Sequence, residues 1–345
     1  MRAFLPDTPT VTQRISGLFL VLLLAGCGGE SVAGISEASN EAPDASSTSV
    51  STAPAEESEG DAAEKSAIRP ARELKRFGVT SHFGDLDTMV ERRVIRVLTV
   101  YGPGRYFLED GPRGTVQEYA DKLQKVVNEA FKTGLLTVQV AVIPVARDEL
   151  FPALESGYGD IVMAGTTITE ARREEVDFTS PVSKPLKELL ITGPSAAPLA
   201  SLADLAGKTV YVRLSSSYAE SIRDLNRDLV EQGKAAIRIE AVDESLEDED
   251  LIEMVNAGLL PWAVVDSYKP QMWREVFDRV TVREDLVLRE GARLGWALRQ
   301  TAPSSKTFSI LFSRTTAKAR CLATLSAIAT SAILIGPRML QVLRS

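Results

Sequence analysis

Residues 164–182 read AGTTITEARREEVDFTSPV, and how this stretch is read decides the fold. The apolar run leading into it ends in a glycine and small hydroxyl residues, as a buried strand does where it gives way to a turn. Thr169 stands where a helix N-cap would, just before Glu170. The stretch therefore reads as a strand end, a tight turn and one turn of polar helix. Two roles fit it. In the first, Gly165 lets a ligand approach the backbone, Thr167 offers a hydroxyl, the helix start offers amides to an anion, and Arg172 holds a carboxylate through parallel hydrogen bonds. In the second, TEARREE is a capped, solvated turn whose arginines pair with Glu174 and Glu175.

Outward from this stretch, strands and helices alternate. GDLDTMVERR is a polar, helix-like turn that leads into the strand VIRVLTV, whose mostly apolar run suits burial on both faces. TVQEYADKLQKVVNEAF has apolar residues at helical spacing and is followed by the strand LTVQVAVIPV. A helix around RDELFPALESGYG and the strand DIVMAGTT complete a parallel α/β lobe. After LKELLITGP the alternation restarts: a strand and polar turn in KTVYVRLSSSY, then a helix, the strand AIRIEAV, the helix EDEDLIEMVNAG and the strand WAVVDSY. VLREGARLGWALRQ would return to the first lobe. The expected architecture is α/β and two-lobed, like a periplasmic binding protein, with two crossover strands and a central cleft. Lobe 1 is expected at 84–191 plus 281–300, and lobe 2 at 195–280.

Composition narrows the chemistry. The chain has 345 residues, 44% hydrophobic and 25% charged, which is ordinary for one or two globular domains. Its net charge of −8 argues against nucleic acid as a partner, since such binding needs clustered positive charge. One histidine, His82, and two cysteines, Cys27 and Cys321, leave little for a zinc cluster, a Ser-His-Asp triad or a disulfide framework. No phosphate-binding loop or dinucleotide fingerprint is present. No cofactor, metal or catalytic residue is expected.

Three motifs in order carry a resemblance. DELFPALESGYGDIVMAGTTITEARREEVDFTSPV, SLADLAGKTVYVRLSSSY and VNAGLLPWAVVDSY resemble family 3 of the bacterial extracellular solute-binding proteins, over roughly residues 92 to 300. A narrower likeness, in GDLDTMVERRVIRVLTV and VRLSSSY, is to the N-terminal part of the membrane-bound lytic murein transglycosylase F family. That family places a solute-binding-like domain before a lysozyme-like domain that cleaves peptidoglycan. The resemblance implies that Gly165, Thr167 and Arg172 grip a ligand's α-carboxylate, and that Arg213, Ser216 and Ser217 complete that site. Asp266 would pair with an amino-acid ammonium, and Arg173 would stay on the surface. Tyr106 and Phe107 fall where the family stacks apolar parts of ligands, or else belong to the lobe core. The sequence departs from the family in RLSSS, which lacks a frequent glycine, and in AGLLPWAVVD.

The two ends differ from the middle. Arg2 and Arg14 precede the apolar run GLFLVLLLAG, and LAGC, ending at Cys27, resembles a bacterial lipobox. Residues 1–27 are thus expected to be a lipoprotein signal peptide with lipidation at Cys27. Gly28 in the next position favours the periplasmic face of the outer membrane. Residues 28–75 are rich in Ser, Ala, Glu, Asp and Pro, and are expected to be a disordered tether reaching roughly 35–40 Å. Residues 301–345 have a different character. Read one base out of register from about Phe308, permitted codons spell a segment resembling the approach to the transglycosylase catalytic domain, so this tail is expected to be frameshifted. The chain is accordingly expected not to be an enzyme itself. Its expected partners are a small molecule (an amino acid or muropeptide-like compound), the membrane through its lipid, and peptidoglycan. The alternative expectation is the amino-acid-binding lipoprotein of an ABC importer.

Overall fold

The computed structural model describes residues 79–300; the expected leader, tether and tail, with Cys27, lie outside the described residues. Among the described residues no helix is long and apolar enough to cross a membrane.

Lobe 1 begins with helix α1 (Leu86–Glu91), strand β1 (Val94–Thr99) and a small hairpin, β2 (Phe107–Leu108) and β3 (Pro112–Arg113). Helix α2 (Thr115–Phe131), strand β4 (Gln139–Pro144), a 3-10 turn at Arg147–Glu149 and helix α3 (Leu150–Glu155) follow. Next come β5 (Ile161–Thr167), α4 (Glu170–Glu175) and β6 (Val176–Phe178). Helix α2 forms because Val116, Ala120, Leu123 and Val127 recur on one face, and all four are buried. Strands β1 and β5 are buried on both faces. Val97, Ile161 and Met163 enter one core cluster, while Leu98, Val162 and Ala164 enter another. Full burial of each large aliphatic side chain contributes about 1.5–3 kcal/mol.

The second lobe holds β7 (Leu186–Thr192), a 3-10 turn at Leu202–Leu205, β8 (Thr209–Val212), α5 (Ser217–Glu231) and β9 (Arg238–Ala241). It continues with α6 (Asp248–Ala257), β10 (Trp262–Asp266), α7 (Lys269–Trp273) and β11 (Thr281–Ala292). Strand β12 (Leu294–Arg299) then returns to lobe 1.

Strand order separates the lobes. Lobe 1 has a five-stranded sheet, β4-β1-β5-β12-β6, in which β1 is parallel to β4 and β5, and β12 runs antiparallel to β5 and β6. The sheet is therefore mixed, not purely parallel, because the returning strand enters from the opposite direction. Lobe 2 has the antiparallel sheet β10-β7-β11 and the parallel pair β8-β9.

Two expected boundaries move. Residues 186–191 and 281–292 were expected in lobe 1, yet β7 is the central strand of the lobe 2 sheet and β11 is its neighbour. β7 is apolar enough for either sheet and β11 is largely polar, so the composition of neither reveals which sheet it joins.

Candidate functional site

The C-terminal ends of strands from both lobes converge on one cavity, the position where open α/β sheets hold ligands. Lobe 1 contributes Arg105 from the loop after β1, Arg147, Gly165 to Thr167 at the end of β5, and Arg172 from α4. Lobe 2 contributes Arg213, Ser216, Ser217 and Tyr218 around the start of α5, Asp248 at the start of α6, and Asp266 and Tyr268 after β10. The cavity measures about 30 Å³, room for about two waters. It is small because the lobes touch.

Those contacts are charged. Arg147 Nε donates to Glu247 Oε1 at 2.8 Å and its Nη2 to Oε2 at 2.5 Å, a bidentate pair that crosses the cleft. Burial would lower the Arg147 pKa, but Glu247 more than offsets it and the guanidinium stays charged. The Glu247 carboxyl in turn is held below its usual range: burial opposes this and Arg147 prevails. From α4, Arg172 Nη2 donates to Ser215 O of lobe 2 at 2.7 Å, and its Nε lies 3.6 Å from Glu220 Oε1.

The turn from β5 to α4 forms as its residues dictate. Gly165 adopts φ +63°, a conformation that suits glycine. Thr169 is the N-cap, accepting from Arg172 N at 3.3 Å. Arg172 Nη1 donates to Thr167 O at 2.9 Å, so the arginine also closes its own turn. Arg173 is on the surface beside Glu170. The solvated pairing of Arg172 with Glu174 or Glu175 is not seen.

On the lobe 2 side, Ser216 caps α5. Its Oγ accepts from Ala219 N at 3.2 Å and donates to Arg213 O at 2.7 Å. Ser217 donates to buried Glu188 at 2.7 Å. Arg213, which lines the cavity, donates to Leu246 O and to Asp248 Oδ1. Asp248 also accepts from Tyr218 OH at 3.0 Å and lies 3.7 Å from Lys269 Nζ. Burial would raise the Asp248 carboxyl, but Arg213 and Lys269 hold it far below the ordinary range.

Asp266 is different. It is 3% exposed, and its Oδ1 has no hydrogen-bond partner. Burial, followed by the charges of Asp248 and Glu188, raises its pKa to about 7. Lys269 and Arg105 oppose that rise only in part, and Oδ1 keeps an unmet need for a hydrogen-bond donor.

Of the residues singled out by sequence, Gly165, Thr167, Arg172, Arg213, Ser216, Ser217 and Asp266 line the cavity. Tyr106 does not. Its ring is buried in the lobe 1 core cluster with Val116, Met163 and Trp296, and it is the adjacent side chain, Arg105, that reaches the cavity. Phe107 is half-buried in β2. Sequence reasoning missed Arg105, Arg147, Thr166, Tyr218, Asp248 and Tyr268; Thr166, Tyr218 and Tyr268 lie within the quoted motifs, whereas the other three stand outside them.

Residues 95–263 match the sequence profile of the bacterial extracellular solute-binding proteins, family 3. This domain belongs to that family. Among curated relatives of the solute-binding domain is the membrane-bound lytic murein transglycosylase F of Saccharophagus degradans, 30% identical over 213 residues, or 61% of this chain and 38% of that protein. Another is the membrane-bound lytic murein transglycosylase F of Shewanella pealeana, 29% identical over 223 residues, covering 62% and 41%. The chain thus spans less than half the length of these relatives. Solved structures with the same two-lobed fold include an ancestral arginine-binding protein bound to arginine (TM-score 0.54, 23% identity, 69% of this chain and 96% of that one). The amino-acid ABC transporter substrate-binding protein AbpA of Streptococcus pneumoniae, bound to L-arginine, is similar too (TM-score 0.55, 18% identity, 72% and 99%). Among the described residues the solute-binding domain has no group of His, Cys, Asp or Glu placed to hold a metal ion.

Proposed function

We propose that this solute-binding domain is the ligand-sensing module of a lytic murein transglycosylase F-like protein, tethered through Cys27 to the periplasmic face of the outer membrane. Its ligand is an amino acid or a peptidoglycan-derived peptide bearing an ammonium and a carboxylate. In this reading the domain binds and does not cleave. The supporting observation is Asp266, a buried carboxylate with an oxygen lacking a partner, at a cavity whose opposite wall is rich in arginine. An ammonium would satisfy that oxygen, and the arginine wall would receive the carboxylate.

The test is ligand-induced thermal stabilisation across the common L-amino acids and small muropeptides. At a ligand concentration of about 100 times Kd, binding adds about 2.7 kcal/mol of stability. The reading requires stabilisation of the parent protein that is lost in Asp266→Asn. If no compound in the panel stabilises the parent protein, the proposal is wrong.

A second reading, the binding component of an ABC importer, is favoured by the alignment with nearly the full length of AbpA. Ligand-dependent docking to a membrane permease would separate it from the first.

A further inference from the structure

The parallel strands of lobe 1 have two ends. Their C-terminal ends face the cleft, and the opposite end is where the chain enters the domain. There His82 N donates to Gly157 O at 2.8 Å and Ser81 Oγ donates to Ser156 O at 2.7 Å, just before β5 begins. Residues 28–78 lie between this point and Cys27.

The loop from α2 to β4 stands at the same end, because Val94 and Gln139 open the paired strands β1 and β4. It is firmly held. Asn128 Oδ1 accepts from Val138 N at 2.7 Å and from Thr133 Oγ1 at 2.5 Å, and its Nδ2 donates to Val138 O at 2.9 Å. Arg93, next to β1, donates to Leu136 O. Yet this well-held loop turns leucines outward: Leu135 is fully exposed and Leu136 is 64% exposed. Phe131, the last residue of α2, is 37% exposed, and Phe83, beside the entering chain, is 59% exposed. Strand β1 lies between β4 and β5, so the loop and Phe83 stand about two strand spacings, roughly 10 Å, apart on one end of the sheet.

The core does not call for these side chains. Leu123, Val127 and Val138 pack this corner of the lobe and are buried. Bare leucines on an ordered loop are therefore apolar surface that the domain itself leaves in water, and such surface marks a contact with something else.

We propose that this end of lobe 1 rests on a lipid bilayer, with Leu135 and Leu136 seated at the boundary of headgroups and acyl chains. This inference rests on the reading of Cys27 as a lipid anchor. The tether is what favours a bilayer over a protein partner. It presents the membrane to the domain at an effective concentration of about millimolar, so a contact as small as two leucines suffices. A freely diffusing protein would need an interface of about 1,000 Å² or more. Apolar groups at a membrane interface enter about 5–10 Å, a depth that a protruding loop reaches. Lys132, beside the leucines, would lay its stem along the apolar surface and keep its ammonium among the headgroups. The cleft, at the other end of the strands, stays open to ligand.

The experiment uses the full chain, lipidated at Cys27 and reconstituted into phosphatidylcholine vesicles. Leu135→Trp supplies a fluorescent reporter, and Leu259→Trp is the comparison, since Leu259 is 72% exposed on lobe 2. Lipids brominated on their acyl chains should quench the emission that Leu135→Trp adds to the parent's and leave that of Leu259→Trp unchanged. The Leu135→Trp emission should also lie to the blue of the other. Adding Leu136→Asp should weaken both the quenching and the blue shift without altering the far-UV circular dichroism, because the position is outside the core. Equal quenching of the two reporters would overturn the proposal, and so would unquenched Leu135→Trp on chains that float with the vesicles. Chains that do not float with the vesicles would refute the anchor reading, and this inference with it.

Discussion

Asp266 makes the site sensitive to pH. With a pKa of about 7 in the folded protein against an ordinary value of 3.8, the folded state holds a proton that the unfolded state has lost between those values. Stability of the ligand-free protein therefore falls as pH rises from about 4 to about 7 and levels off above. Asp266→Asn should remove this slope and raise the melting temperature at about pH 8 relative to the parent, which thermal melts across pH would show. Ligand binding should run the other way. An ammonium needs the ionised carboxylate, so affinity should rise with pH up to about 7, by up to tenfold per unit, and binding near pH 6 should release a proton. Calorimetry in buffers of different ionisation enthalpy reads that proton directly, and a binding heat independent of buffer would contradict the assignment. Asp266 was legible in the sequence because it closes an apolar strand within a motif. Arg105 was not legible, since it sits in an irregular loop beside two aromatics that drew attention to themselves, and only the fold shows which neighbour turns inward.

At the scale of an element, the junction of β5 and α4 carries the most information per residue. Its strand end, glycine turn and threonine cap are local interactions, and so they could be read from residues 164–182. What that stretch could not reveal was the occupant of the space above Gly165, because Arg105 arrives from a distant loop. Gly165→Ala tests the junction. The alanine must hold a left-handed backbone, which costs about 1–2 kcal/mol, and its methyl must displace the guanidinium. We expect a modest drop in melting temperature together with loss of amino-acid binding at the cavity that Gly165 lines. A drop in stability without that loss would mean that the glycine serves only the turn. The long crossover strands show the limit of local reading. The apolar run of β7 made it recognisable as a strand and the largely polar β11 offered no such signal, while sheet membership for both is settled by pairing partners far along the chain.

For the whole molecule, the Arg147–Glu247 pair is a bidentate bond between the lobes, beside the contacts of Arg172 with Ser215 and Glu220. Removing one partner leaves a buried charge uncompensated, which typically costs about 3–5 kcal/mol. Arg147→Met and Glu247→Gln should therefore each destabilise the compact form and increase the radius of gyration measured by X-ray scattering. The double variant Arg147→Met/Glu247→Met should cost less than the sum of the singles. Unchanged scattering in both single variants would show that the remaining contacts hold the lobes together by themselves.

At the far end of β5 from the cavity, roughly 20 Å away along the strand, Asp160 gathers Arg92, Arg96 and Arg299. Arg96 also donates to Thr80 O at 2.9 Å and His82 O at 3.1 Å, and Arg299 reaches Gly84 O at 3.4 Å. The first and last described segments of the domain are thus knotted to one carboxylate. Mechanically, a tug between those segments would meet this knot first, at the end of β5 remote from the cleft.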